Sequence, residues 1–207
     1  VLSHANSDHY NAVPALLTAA LPERVYVGRA FARRWDDSPG AWELMDRLAA
    51  AGVEVRRLAA GDVLKLGPET RLEVLWPPAE PADPLALNDT SLVLRVTCGP
   101  QNVLLPGDLD RAGQAALTAG GRDLHADILV LPHHGGWEPT LPAFVEAVAP
   151  TTVLVSTSRR LRGPADAPEA AAFYQRLRER AKVYTTRERG WIGVTFGAGP
   201  VRVKTMR

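Results

Sequence analysis

Short runs rich in β-branched and apolar residues alternate along the chain with stretches of helical periodicity. The runs are "RVYVG", "VEVRRL", "RLEVLW", "SLVLRV", "NVLLPG", "ADILVLP", "TTVLVS", "AKVYTT" and "WIGVTF". Between them lie "NAVPALLTAAL", "PGAWELMDRLAAAG" (a proline opens it and Gly52 closes it), "DRAGQAALTAG", "LPAFVEAVAP" and "DAPEAAAFYQRLRERA". Strands this short and apolar, separated by helices, belong to an α/β architecture whose sheet is covered by helices. In the last helical stretch Ala170, Phe173, Tyr174 and Leu177 recur at helical spacing, which predicts one face packed on a sheet. The proline-rich "WPPAEPADPLALND" predicts a surface loop. No repeat, low-complexity tract or linker divides the chain, so a single domain over 1–207 is expected.

Two of the strands end in the same way. "NVLLPGDLD" delivers Asp108 after a Pro-Gly turn, and "ADILVLPHHGG" delivers His133 and His134. Groups just past the carboxyl ends of strands line the ligand crevice of α/β sheets. The opening "VLSHANSDH" sets His4, Asp8 and His9 between an apolar start and a helix. Imidazole and carboxylate together suit a divalent cation. Taken singly these residues have ordinary explanations: a turn aspartate, a core histidine, a solvated loop. Three segments bringing His and Asp to one rim predict a metal centre.

Charge and cysteine content set outer limits. The formal net charge of +1 argues neither for nor against a polyanionic partner. The single cysteine, Cys98, excludes an intramolecular disulfide and a cysteine-rich zinc site. No apolar run approaches the length of a membrane helix and no signal sequence is present, so a soluble chain is expected. Arg159, Arg160 and Arg162 follow the "VLVS" strand on the expected rim, where guanidinium groups would fork onto phosphate oxygens. The clusters "RAFARRW" and "RLRERAK" read as helix surface, Trp191 as a core residue, and Trp35 and Trp137 as rings able to stack on bases.

The series "SHANSDH", "NDTSLVLRV", "VLLPGDLD", "ADILVLPHHGG", "VLVSTSRR" and "VYTTRERGWIGV" resembles, in order and from Val1 to about Phe196, the metallo-β-lactamase-fold domain of the ComEC/Rec2 competence proteins. The resemblance implies a four-layer αβ/βα sandwich with a metal site between its two sheets. The family's first strands are missing here, as in a fragment of a larger protein. It further implies the soluble domain of a bacterial inner-membrane DNA-uptake protein, on the extracytoplasmic side, that degrades one DNA strand during competence. DNA, the membrane segments of the same full-length protein and other uptake components would be its partners. The reaction would be metal-dependent phosphodiester hydrolysis, with one or two Mn, Zn or Mg ions stabilising charge on the phosphoryl oxygens.

Carried over by position, Asp8, His9 and one histidine of the HHG turn would hold one ion, Asp108 would bridge to a second, and His4 would be the main ligand of that second ion. His134 is favoured as the ligand and His133 as its hydrogen-bonding neighbour or proton donor; Asp8, Asp108 and His133 are the candidate catalytic residues. Asn88, Ser91 and Ser156 would support the site, although a strand-start turn accounts equally well for the first two. This chain also departs from the pattern. Asn6 stands where the subfamily commonly has aspartate, which leaves at best a weak ligand. No histidine occurs between His9 and His125. Asn11 and Ala12 replace two glycines, Gly136 replaces a serine, and Arg162-Gly163-Pro164 lacks the histidine of the family's GHP step. These losses keep two other readings open: a catalytically impaired module that guides DNA or braces the channel, and a small-ester or phosphodiester hydrolase on the same fold.

Overall fold

The computed structural model describes residues 1–32, 38–161, 167–196 and 201–206. The first part of the chain forms helices α1 (Ser7–Tyr10) and α2 (Val13–Ala19), strand β1 (Arg24–Gly28), helix α3 (Pro39–Ala50) and strand β2 (Glu54–Leu58). β1 and β2 pair in parallel as a small sheet of their own. Next come β3 (Val63–Lys65), β4 (Thr70–Trp76), β5 (Val93–Cys98) and β6 (Gln101–Leu105), an antiparallel meander. From β6 onward the large sheet continues in parallel through β7 (Ile128–Val130), β8 (Thr152–Val155) and β9 (Lys182–Thr185). The crossovers are α4 (Arg111–Ala119), α5 (Leu141–Val148) and α6 (Pro168–Arg180). A short α7 (Thr186–Arg189) then leads to a separate antiparallel hairpin of β10 (Trp191–Thr195) and β11 (Arg202–Met206).

Three apolar clusters stack these elements into helix, sheet, sheet and helix layers. Leu44 and Leu48 of α3 pack on Val25, Val27 and Val53 around the small sheet. Leu58 meets Leu72, Val74, Leu92 and Leu94 between the two sheets. On the far face of the large sheet Leu104, Leu129 and Val153 pack with Leu117, Phe144, Tyr174 and Leu177 from the crossover helices. Strands β6 and β7 are covered on both faces, which is why they read as unbroken apolar runs rather than as alternation.

Two expectations need correction. Trp191 is 58% exposed, because "WIGVTF" belongs to the outlying hairpin and not to the seven-stranded sheet. "RAFARRW" forms no helix over its described residues; its start is a turn that buries Phe31 in the first cluster, with Arg57 Nη1 donating to the Phe31 carbonyl at 2.8 Å. Trp35 lies outside the described residues. Strands β3 and β11 were not legible, since the first has three residues and the second, "RVKTM", alternates without an apolar run. "RLRERAK" does close α6 as an exposed basic end with Leu177 turned inward. Trp137 packs against Phe173, with ring centroids 5.7 Å apart.

The strand directions create the site. β6, β7 and β8 are parallel, so their carboxyl ends share one edge; β5 is antiparallel to β6, so its start meets that edge too. The opening segment reaches the same place. Leu2 N donates to the Tyr26 carbonyl at 2.9 Å, and Leu92 N donates to the Ser3 carbonyl at 2.9 Å. Residues 2–3 therefore bridge the small sheet to the start of β5, and the next residue, His4, arrives at the rim.

Candidate metal centre

Past β6 the chain turns at Gly107, whose φ of 59° is left-handed. A Cβ at that position would lie 3.0 Å from Ser3 Cβ and 3.1 Å from Ser91 Oγ, so the close approach also requires glycine. The turn presents Asp108, whose backbone N–H donates to Ser91 Oγ at 3.1 Å. The neighbouring strand end is tied to it, because His133 N donates to the Gly107 carbonyl at 3.1 Å. There His133, His134 and Gly135 run consecutively in the left-handed region, with φ of 49°, 54° and 76°. For residues bearing a Cβ this conformation costs about 1–2 kcal/mol each. Such strain persists only where the surroundings enforce it.

Asp8, His9, Asp108 and His134 each direct one ligand atom into a space in which all four atoms lie within 4.8 Å of one another. His9 Nε2 stands 3.1 Å from Asp108 Oδ1 and 3.7 Å from Asp8 Oδ2. His134 Nε2 stands 3.3 Å from Asp8 Oδ2 and 3.6 Å from Asp108 Oδ2. Asp108 is buried while Asp8 and His134 face solvent, so the cluster is an open-sided cup on a buried carboxylate. Burial works to raise the Asp108 carboxyl, but contact with His9 and the nearby imidazoles of His134 and His4 hold it below the usual carboxylate range.

The imidazoles are oriented from behind. His134 Nδ1 lies 3.0 Å from the Ser156 carbonyl, which only accepts, so Nδ1 carries the proton and Nε2 presents its lone pair. Ser156 thus supports the site through its backbone. Ser3 Oγ lies 2.9 Å from His9 Nδ1 and 3.1 Å from His4 Nδ1 and serves both rings. His4 Nε2 is buried with no hydrogen-bond partner among the described residues, an arrangement that is costly unless something outside the chain satisfies it. Burial, helped by the neighbouring His9, pushes His4 down to about 4, so its ring is neutral at pH 7 and free to donate to a cation. Ser3→Ala should weaken divalent-cation affinity about 10–100-fold, measured by calorimetry, as loss of a partner behind metal ligands generally does.

A second set of contacts runs beside the cluster. Asn6 Nδ2 donates to Asn88 Oδ1 at 2.9 Å, Asn88 Nδ2 donates to Asp110 Oδ2 at 2.9 Å, and His133 Nδ1 donates to Asp110 Oδ1 at 2.7 Å. His133 is therefore held by Asp110 and does not join the four-ligand group, whereas His134 does. The amide nitrogen of Asn6 is engaged by Asn88, and the residue is not part of the four-ligand group. His4 also lies outside the four-ligand group; its ring centroid is 4.3 Å from that of His9. Arg159 and Arg160 are exposed on the segment after β8; Arg162, with Gly163 and Pro164, lies outside the described residues. Ser3 and Asp110 were missed in the sequence reading, although Ser3 adjoins His4 and Asp110 closes the "GDLD" motif.

No family model matches the chain. Curated relatives do. It is 28% identical over 162 residues to ComE operon protein 3 of Bacillus subtilis (strain 168), covering 78% of this chain and 20% of that protein. It is 31% identical over 124 residues to Competence protein ComA of Neisseria gonorrhoeae, covering 58% of this chain and 17% of that one. The chain is similar to these two competence proteins over part of its length. It spans a fifth or less of the length of these two relatives. Among solved structures, a mutant of the CmlA beta-hydroxylase matches with a TM-score of 0.58 at 12% identity, over 99% of this chain and 44% of that one. That likeness shows the metallo-β-lactamase fold, with the His/Asp cluster at its rim. Among the described residues, no helix is long and apolar enough to cross a membrane.

Proposed function

We propose that the chain hydrolyses phosphodiester bonds of DNA with one or two divalent cations, as the hydrolase domain of a competence DNA-uptake protein. The observation that carries this reading is the convergence of Asp8, His9, Asp108 and His134 on one point at the strand ends. Two imidazoles and two carboxylates fit Mn or Zn, and less well Mg, which prefers an all-oxygen shell. A bound ion would supply charge stabilisation at a phosphoryl oxygen and lower the pKa of water beside it. His133, oriented by Asp110 through Nδ1, would donate a proton from Nε2 to the departing oxygen in its imidazolium form, with the Asp110 carboxylate as counter-charge. Arg159 and Arg160 bind phosphates flanking the one attacked. The partners under this proposal are DNA, the membrane segments of the full-length protein and other uptake components, with the domain on the extracytoplasmic side of the inner membrane.

One observation favours a second reading. His4 stands outside the four-ligand group and Asn6 offers only a neutral amide oxygen, so the surroundings of His4 are poor in ligands, which suits a single-ion or non-catalytic domain that guides DNA. Labelled single-stranded DNA incubated with the protein and Mn separates the two. Cleavage that EDTA abolishes is the expected result, and the double variant Arg159→Ala/Arg160→Ala should raise KM about 10-fold, with kcat little changed and a shallower salt dependence. Bound metal and bound DNA without cleavage would establish the guiding role. Turnover of small esters but not of DNA would point to the other hydrolase class.

A further inference from the structure

The left-handed run at His133, His134 and Gly135 is tied on its site side by the His133 amide, Asp110 and the Ser156 carbonyl. Its other side is held from the helical layer. Tyr174 of α6, 2% exposed, donates its hydroxyl to the Gly135 carbonyl at 2.9 Å. The ring is fixed by Phe173 and Trp137, at centroid distances of 5.2 and 6.3 Å, so the hydroxyl has little freedom to leave that carbonyl. We propose that Tyr174 is a positioning residue for the metal centre: from the layer behind the sheet it sets the peptide that follows His134 and so aims the His134 imidazole at Asp8 and Asp108. The inference rests on the metal reading above. It assigns a function to one hydroxyl that core packing does not use, since packing needs only the ring.

The test compares the wild-type chain with Tyr174→Phe, which keeps the ring and removes the donor. Calorimetric titration with Mn and with Zn, below the melting transition of both proteins, should show affinity weakened about 10-fold in the variant. In the metal-free proteins, two-dimensional 15N–1H spectra of the histidine rings should show the His134 signals displaced toward a mixture of tautomers, while those of His125, remote from the turn, stay in place. Leu117→Ala, a packing control in α4 within the same apolar cluster, should lower Tm without changing either readout. If Tyr174→Phe does not fold, Tyr174→Met, which fills the space and also lacks the donor, carries the same expectations. Unchanged affinity and unchanged His134 signals beside a lowered Tm would overturn the proposal. A wild-type chain that binds neither cation would instead reject the metal reading, and the metal-free ring spectra would still decide the role of Tyr174.

Discussion

Replacing Asp108 with alanine is expected to abolish stoichiometric cation binding and to lower DNA hydrolysis by about 10²–10³-fold or more, the range seen when one preorganised charge-stabilising group is removed from an active site. Asp108 is the buried floor of the cluster, within reach of His9 on one oxygen and His134 on the other. No neighbouring carboxylate takes its place, because Asp8 sits on the solvent side and Asp110 is engaged by His133 and Asn88. The metal-free variant should also lose stability at neutral pH. A carboxyl held below its usual range in the folded chain contributes stability above its unfolded pKa, and that contribution is lost as pH falls through the lower, folded value. Thermal melts across pH should therefore converge for wild type and variant in acid and diverge toward neutrality. Calorimetry that finds normal cation affinity in the variant would remove Asp108 from the centre altogether.

Gly135→Ala should be the most damaging conservative change on the rim. Its φ of 76° is one an alanine adopts only at a cost of about 1–2 kcal/mol. The added methyl would also stand 2.6 Å from Leu161 Cδ2 and 2.9 Å from Val155 Cγ1, and overpacking of this kind typically adds about 1–3 kcal/mol. Denaturant melts should register a loss of about 2–5 kcal/mol, the sum of these two ranges. Because the two preceding residues are the histidines, cation affinity should fall with stability. Leu161 is flexible enough to yield at its tip, whereas Val155 is fixed in β8, so the strand end is where the damage should appear. A loss below about 1 kcal/mol would show that the turn relaxes without strain.

The rim was legible because two of its strands, β6 and β7, end in a way that sequence preserves: an apolar run, a proline and then a residue with metal-binding chemistry. Parallel strands do not alternate, so those runs stood out. The choice between His133 and His134 was open in sequence terms, since adjacent residues share every local signal; the backbone turn separates them by sending one ring to Asp110 and the other to the cluster. Asp110 and Tyr174 reach their partners across 23 and 39 residues, distances at which a single sequence carries no pairing information. The misreading of Trp191 had a different origin. An apolar run of strand length looks the same whether it enters a covered sheet or an isolated hairpin, and only the tertiary neighbours distinguish the two.

Asp8 and His134 lie 126 positions apart in the chain and 3.3 Å apart in space, one on the layer that contains the small sheet and the other on the large sheet. An ion seated between them would act as a clasp across nearly two thirds of the chain. Its binding energy would become folding energy, and the opening segment, which joins the small-sheet cluster through Leu2 and Ala5, would gain from it directly. Chelation would then loosen the front of the molecule while the helical layer behind the large sheet keeps its packing.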